Sequence, residues 1–395
     1  MGKGLGDSKI NKQMKILLLD TSFSAKPIYD ALVNMGGEVF VLGGNPKDFL
    51  AKTVTNYINV DYSKIDQVRT EIQQYGINYI VPGGNDLSYK VCSELNTDSQ
   101  YANIDTVENY EIINDKSKFR NFATRHKLQV PAIIERDDIS NHLPVIFKPV
   151  DAYSGHGMTV LDSCGKNEVQ AAMEIASQSS KSGKYIIEEF VSGQLYSHSA
   201  FISNGEIDID FIVKEYCFVN SYAVDTSHVV YDFDQTLLER IRQDITKMVK
   251  ALNLVDGLMH TQFIQRGDTF WLIEITRRCP GDLYSKLIEL STGFPYAEFY
   301  ARPFIAEPSC AFEQSLNTTH IVRHTATLRE GGVFNALNFQ NSANVVKYVP
   351  LALAGDKIQP APQGRVGIIF THSKSESEMN HLVDCIKNGQ LYTVN

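Results

Sequence analysis

Three short apolar runs near the start of the chain limit its folding choices more than any other feature: Lys15–Asp20 (KILLLD), Glu38–Leu42 (EVFVL) and Tyr79–Val81. A strand that is apolar on both faces must be covered on both, the condition of a parallel sheet held between helices. Lys26–Met35 and Asp66–Tyr75 have the spacing of those helices, and Gly36-Gly37 marks where the first one stops. Alternating strands and helices imply right-handed crossovers and a doubly wound parallel sheet. Ligands of such sheets collect beyond the carboxyl ends of the strands. Two loops occupy that place, Asp20-Thr21-Ser22-Phe23-Ser24 and Gly83-Gly84-Asn85-Asp86. Both read equally well as tight strand-to-helix turns, and neither carries the G-x-G-x-x-G of a nicotinamide-type site.

At 395 residues the chain calls for more than one core. Beyond Thr106 the texture changes. A polar helix over Asn114–Lys127 precedes strands at Pro144–Val150, Thr159–Leu161 and Tyr185–Val191, with a helix at Glu168–Ser177. Strands at Ser199–Ile202 and Ile207–Val213 lead to a long amphipathic helix, Gln235–Leu252, and to strands at Leu258–Gln265 and Thr269–Ile275. The tail is β-rich, with strands at His320–Leu328 and Val366–Phe370 and a last helix at Ser375–Asn388.

The balance of 37 basic against 46 acidic side chains gives a net charge of −9, which argues against a protein built to grip nucleic acid or an anionic membrane. A small anion held by local basic residues remains compatible with it. A hydrophobic share of 43% and a charged share of 21% exclude wholesale disorder. No apolar stretch approaches the ~20 residues that cross a bilayer. Residues 1–13 form a polar flexible tail without a signal core. The cysteines (Cys92, Cys164, Cys217, Cys279, Cys310, Cys385) are scattered, which points to a reduced cytoplasmic setting and not to a disulfide framework or zinc site.

Three segments carry chemistry. The first is Phe147–Met158 (FKPVDAYSGHGM), where Lys148 ends a strand and Ser154, Gly155, His156, Gly157 and Met158 form a small-residue loop. A lysine supplies a point charge and small residues let backbone N–H groups approach phosphate oxygens. Alone, such a loop is more often a plain hairpin. The second is Tyr185–Gly193 (YIIEEFVSG), whose Glu188, Glu189, Phe190 and Val191 offer acceptors for an exocyclic amine and apolar flanks for a purine. Alone, Glu188 and Glu189 read as a solvent-facing pair. The third runs from Gln262 to Glu274, Thr276 and Arg278, ending in Pro280-Gly281-Asp282. Period-two geometry puts Glu274 and Thr276 on one face, and antiparallel pairing can add Gln262, an oxygen-rich set suited to Mg2+. Glu274 and Arg278 read equally as a surface ion pair.

In this order the three segments resemble the ATP-grasp superfamily over roughly residues 14–305. The resemblance implies a pre-ATP-grasp Rossmann-like domain (14–105), an ATP-grasp domain (106–306, small lobe about 140–190) and a β-rich C-terminal domain (307–395) on the substrate side. The expected fold class is thus α/β and α+β: a parallel sheet, a two-lobe module and a β-rich tail. By family spacing Lys116 and Lys148 are the nucleotide lysines, 154–158 the flexible loop and 188–191 the purine edge. Gln262, Glu274 and Thr276 match the Glu-x11-Glu-x-Asn metal triplet, with glutamine and threonine departing from it, and Leu195 stands where a ribose-binding glutamate is common. Arg278, Gly281 and Asp282 fall on the substrate side, and the segment around Glu274 is similar to that of carboxylate–amine ligases such as L-amino-acid ligases.

The resemblance implies ATP and one or two Mg2+ as cofactors, Mn2+ being a substitute. Lys148 and Arg278 are the catalytic candidates in an ADP-forming amide or peptide ligation through an acyl phosphate. The partners are a small carboxylate and an amine, an amino acid among them, and a homodimer is the commonest assembly. Bicarbonate activation, and ATP binding without turnover, are the competing readings. Outside the motifs, His260 reads as structural, Cys279 as a packing residue and His156 as a phosphate contact or plain loop residue. His320, Arg323 and His324 read as a substrate-carboxylate site or a solvated strand face, and Tyr222–Asp232 as an acceptor-pocket segment.

Overall fold

The computed structural model describes residues 14–152, 155–307, 312–340 and 343–395. The expected tail over 1–13, Ser154 and Cys310 lie outside the described residues.

The apolar runs form a four-stranded parallel sheet: β1 (Lys15–Leu19), β2 (Glu38–Leu42), β3 (Tyr57–Ile58) and β4 (Tyr79–Pro82), in the order β3-β2-β1-β4. Ile16, Leu17, Leu18 and Leu19 are fully buried, as a strand covered on both faces requires. The strand order reverses between β1 and β4, and the two loops singled out above leave the sheet at that switch point. They are tied together by Asp20, whose Oδ1 accepts from the Ser22 N–H at 2.8 Å and whose Oδ2 accepts from the Gly84 N–H at 2.9 Å.

The small lobe is a three-stranded antiparallel sheet of β5 (Val145–Pro149), β6 (Thr159–Leu161) and β7 (Tyr185–Glu189), ordered β6-β5-β7, with the helix Lys166–Ser179 packed on it. The helix expected over 114–127 is Lys116–Arg125, and a separate helix, Val107–Asn114, precedes it. Asp115 breaks the run: its carboxylate accepts from the N–H groups of Ser117 and Lys118, so the second helix has its own N-cap.

The rest of the chain builds one large sheet. Its strands are β8 (Gln194–Ser203), β9 (Glu206–Tyr216), β10 (Thr226–Val230), β11 (Gly257–Arg266), β12 (Thr269–Thr276) and β13 (His320–Thr327). After two short strands, β14 (Gly332–Val333) and β15 (Leu337–Phe339), come β16 (Val345–Pro350), β17 (Lys357–Ile358), β18 (Arg365–Ser373) and β19 (Tyr392–Val394). The eight-stranded order is β12-β11-β8-β9-β10-β13-β18-β16, while β14 pairs β17 and β15 pairs β19. Strands on both sides of residue 306 therefore share one sheet, and the expected boundary at 306/307 crosses it. The amphipathic helix Gln235–Leu252 buries Leu238, Ile241, Ile245 and Met248 against one face with Phe263 and Phe270. The helices Tyr284–Thr292 and Tyr296–Ala301 join the opposite face to the parallel sheet in one continuous core, pinned where the buried Tyr300 hydroxyl donates to the Pro82 carbonyl at 3.1 Å.

Candidate functional site

The first cluster begins with the cross-strand pairing of β5 and β7, which sets Lys148 opposite Ile186 and Glu188 opposite Ile146. The Lys148 ammonium lies 2.5 Å from Glu188 Oε2, and Arg120 Nε lies 2.7 Å from Glu188 Oε1. Arg120 reaches this point from the helix Lys116–Arg125, and it also donates to the Ile273 carbonyl on β12 at 2.9 Å. All three side chains are buried. Burial opposes ionisation of Glu188, but Arg120 and Lys148 outweigh it and hold the carboxyl below the ordinary glutamate range. Burial and the cations of Arg120 and Lys116 pull the Lys148 ammonium down. Two cations sharing one carboxylate leave an excess positive charge in a low-dielectric place, which is an anion receptor.

Glu188, expected at a purine edge, is thus consumed by an internal ion pair. Glu189 is half-buried and its Oε1 accepts from the Ala132 N–H at 3.1 Å; Phe190 is half-buried and Val191 buried at the end of β7. The glycine loop keeps two left-handed residues, Gly155 at φ +71° and Gly157 at φ +75°. A Cβ at Gly155 would stand 2.3 Å from Tyr222 Cβ, and one at Gly157 would stand 2.3 Å from Ser179 Cβ, so both positions need glycine. His156 is exposed on this loop and Met158 half-buried.

Lys116 connects this cluster to the opposite wall. Its ammonium donates to the Ala152 carbonyl at 2.7 Å and stands 3.9 Å from Glu274 Oε1. On that wall Gln262 faces Glu274 across the antiparallel β11–β12 pair, and Thr276 faces His260. Glu274 is half exposed, so its carboxylate is available. The Gln262 amide nitrogen donates to Glu215 Oε2 at 2.7 Å. Thr276 is turned to the parallel-sheet domain, where its hydroxyl donates to Asp86 Oδ1 at 3.3 Å. Among the described residues no group of three or more His, Cys, Asp or Glu side chains could hold a metal. With the Thr276 hydroxyl committed to Asp86, the donor set is one carboxylate, Glu274, and the amide oxygen of Gln262, which fits Mg2+ because that ion keeps waters and shares phosphate oxygens.

Arg278 is not free. Its Nε lies 2.8 Å from Asp86 Oδ1 and its Nη2 3.2 Å from Oδ2, a two-point tie from the end of β12 to the start of the helix after β4. Burial raises the Asp86 carboxyl, yet Arg278 and Thr276 outweigh it and keep it ionised below the usual range. Next along the chain, Gly281 passes so close to the loop after β4 that a Cβ would stand 2.7 Å from the Gly84 carbonyl oxygen. Leu283 then adopts a left-handed φ of +61°, a strain of roughly 1–2 kcal/mol that shapes the turn before the helix Tyr284–Thr292.

A polar row runs from β11 along one face of the large sheet. Gln262 pairs with Ser197, and Ser227 pairs with both Glu215 and Arg323. Arg323 is fully buried and saturated: Nε donates to the Asp282 carbonyl, Nη1 to Ser227 Oγ, and Nη2 to Thr325 Oγ1 and to Asp282 Oδ2 at 2.6 Å. His324 uses both ring nitrogens, on the hydroxyls of Thr226 and Tyr392. Neither residue is a solvated surface group or an open carboxylate receptor. Glu215 is pushed up to about 7 by burial and by the Asp282 charge. Arg365 differs from the other arginines here: its guanidinium lies 5.5 Å from the Phe23 ring and has no ion-pair or hydrogen-bond partner among the described residues. His260 donates or accepts at Ser199 Oγ, 2.8 Å away, and is pushed down to about 3 by burial, a structural residue. Burial pushes the Cys279 thiol up to about 12, which suits packing and not nucleophilic attack.

Three residues at the site escaped sequence reasoning as functional groups, Arg120, Glu215 and Arg365, while Asp86 was singled out only as part of its loop. Two left a signal. Glu215 continues the inward register of Phe211 and Val213, and Arg120 sits among Phe119, Phe122 and Ala123, so each is a charge in an apolar phase.

Residues 141–286 match the ATP-grasp domain family. A search of curated protein sequences finds no match. Among solved structures, the chain is similar to an L-amino acid ligase from Bacillus licheniformis, with a TM-score of 0.80, 15% identity, and 97% of this chain and 98% of that one covered. Phosphoribosylglycinamide synthetase from Anaerococcus prevotii gives a TM-score of 0.75 at 16% identity, covering 97% and 99%. N5-carboxyaminoimidazole ribonucleotide synthetase from Thermotoga maritima gives 0.74 at 16%, again covering 97% and 99%.

Proposed function

From a chain that carries an ATP-grasp domain in an ATP-grasp fold, we propose an ADP-forming ligase that joins a carboxylate to an amine through an acyl phosphate. The observation that carries the reading is Lys116, which lies beside the cation-rich Lys148 cluster and 3.9 Å from Glu274. A triphosphate placed there meets positive charge along its α/β portion and oxygen ligands at its end. Lys116 and Lys148 hold the α/β phosphates, and Glu274 with the oxygen of Gln262 would hold Mg2+. When bound, that ion offsets charge on the outer phosphates.

The substrate carboxylate oxygen attacks the γ-phosphorus, the bond to the β–γ bridging oxygen breaks, and ADP leaves. The acyl phosphate then has a stable leaving group, so an amine adds to its carbonyl carbon, the C–O bond to phosphate breaks, and the amine proton is lost. Arg278 stabilises the acyl phosphate and the oxyanion, positioned by Asp86. Arg365, the uncommitted cation, takes the anionic group of an amino-acid substrate, and Asp282 lies on the same side. Closure of the glycine loop excludes water that would hydrolyse the intermediate. No helix among the described residues is long and apolar enough to cross a membrane.

The test is a phosphate-release screen with Mg·ATP against amino-acid pairs and other acid–amine combinations. Stimulation by an amino acid supports the ligase. Stimulation by bicarbonate alone reassigns the chain to carboxylation, and nucleotide binding with no ADP across the screen rejects an enzyme.

A further inference from the structure

We infer that Glu215 is a positioning residue for the metal site: its carboxylate fixes the Gln262 amide so that the oxygen, not the nitrogen, faces the ion. The inference rests on the metal site of the ligase reading. An amide is a metal ligand only through its oxygen, so a glutamine at this position works in one of its two flip states. The 2.7 Å contact in which Gln262 Nε2 donates to Glu215 Oε2 selects that state, because it engages the N–H end of the amide and leaves the oxygen end free.

Glu215 is well placed to impose it. It is 4% exposed on β9, in the inward register of Phe211 and Val213, and β10 closes its other side with Ser227 opposite. The amide is held from the strand flank opposite to β12, so its oxygen is left for the Glu274 side. The arrangement also accounts for glutamine where the resembling family has glutamate. Glutamate at 262 would place a second carboxylate within hydrogen-bond distance of Glu215, in a buried site where like charges repel. The acid has moved one layer back, from ligand to ligand-holder, and from there its hydrogen bond orients the amide. Acid and amide then form a pair that can be exchanged only together.

The experiment measures Mn2+ binding to the full chain by electron paramagnetic resonance, with a nonhydrolysable adenine nucleotide present, in wild type, Glu215→Gln, Gln262→Glu and the double exchange. Each single variant is expected to bind Mn2+ about 10-fold more weakly, the size typical of outer-sphere partners. The double exchange should return to within about 3-fold of wild type, a coupling that independent sites do not show. Nucleotide affinity measured in EDTA should stay unchanged in all four, which a general loss of packing would not allow. Wild-type Mn2+ affinity in Glu215→Gln, tighter binding in Gln262→Glu, or a double variant no better than the singles would overturn the inference alone. Absence of nucleotide-dependent Mn2+ binding in the wild type would instead remove the metal site and the ligase reading with it.

Discussion

Glu188 and Glu215 are both buried strand glutamates beside an arginine, and their environments drive them in opposite directions. Glu188 has two cations on one carboxylate, Arg120 and Lys148, and is held below its ordinary range. Glu215 shares Arg323 with a second acid, Asp282, and is pushed up to about 7. Burial alone would raise both; the local count of cations against anions decides the sign. Surplus positive charge therefore gathers around Glu188, and surplus acid around Glu215. The chain's acidic balance conceals this division.

The contrast can be broken hardest at the reacting end. Glu274→Gln and Arg278→Ala should each lower ADP formation by on the order of 10³-fold, read by coupled ADP release, with the fold kept. Lys148→Ala removes the surplus positive charge around Glu188 and should lower kcat/KM for ATP by about 100-fold. Next in size comes stability. Glu188→Gln leaves two cations without their counter-ion and should cost about 3–5 kcal/mol in denaturant unfolding. Glu215→Gln should leave stability at pH 8 unchanged or higher, because it removes a buried charge that repels Asp282. Equal losses in the two variants would contradict the comparison.

The pH dependence sharpens it further. Glu215 has a folded value of about 7, above its ordinary 4.5. Its stabilising contribution is full below the ordinary value and is lost as pH rises through about 7. The Glu188 contribution runs the other way, present above the ordinary glutamate range and lost on acidification. His260 and His324, pushed down to about 3, also lose stability as pH falls below the ordinary histidine value. Subtracting the unfolding curve of Glu215→Gln from that of wild type between pH 4.5 and 8 isolates the first effect. The smallest expected change is at Arg365→Ala, which should raise KM for the acidic or amino-acid substrate several-fold while leaving KM for ATP unchanged, as one lost charge-assisted contact implies.

Local signals carried much of this architecture. The helix Gln235–Leu252 is bounded as its spacing suggests, by an Asp234 cap and a left-handed Asn253, and the first strands lie where the apolar runs put them. Long-range pairing did not show in the sequence. Nothing near His320–Thr327 announces that it closes against β10, or that β18 and β16 extend the same sheet, because register across a sheet is set by partners distant in sequence. At the candidate site, the order and spacing of three segments singled out Lys148, Gln262 and Glu274, and strand pairing sets Gln262 opposite Glu274. The partners that decide their charge, Arg120, Asp86 and Glu215, come from separate elements. The assignment of Glu188 to a purine edge illustrates the cost: its exposure depends on Arg120, 68 residues away.

The account turns on where the phosphates lie. A crystal structure with a nonhydrolysable adenine nucleotide and Mg2+ tests this most directly. It should show the α/β phosphates within hydrogen-bond reach of Lys116 and Lys148, and the ion on the carboxylate of Glu274 and the amide oxygen of Gln262. Nucleotide bound away from Lys116, or an ion that ignores Glu274, would contradict it.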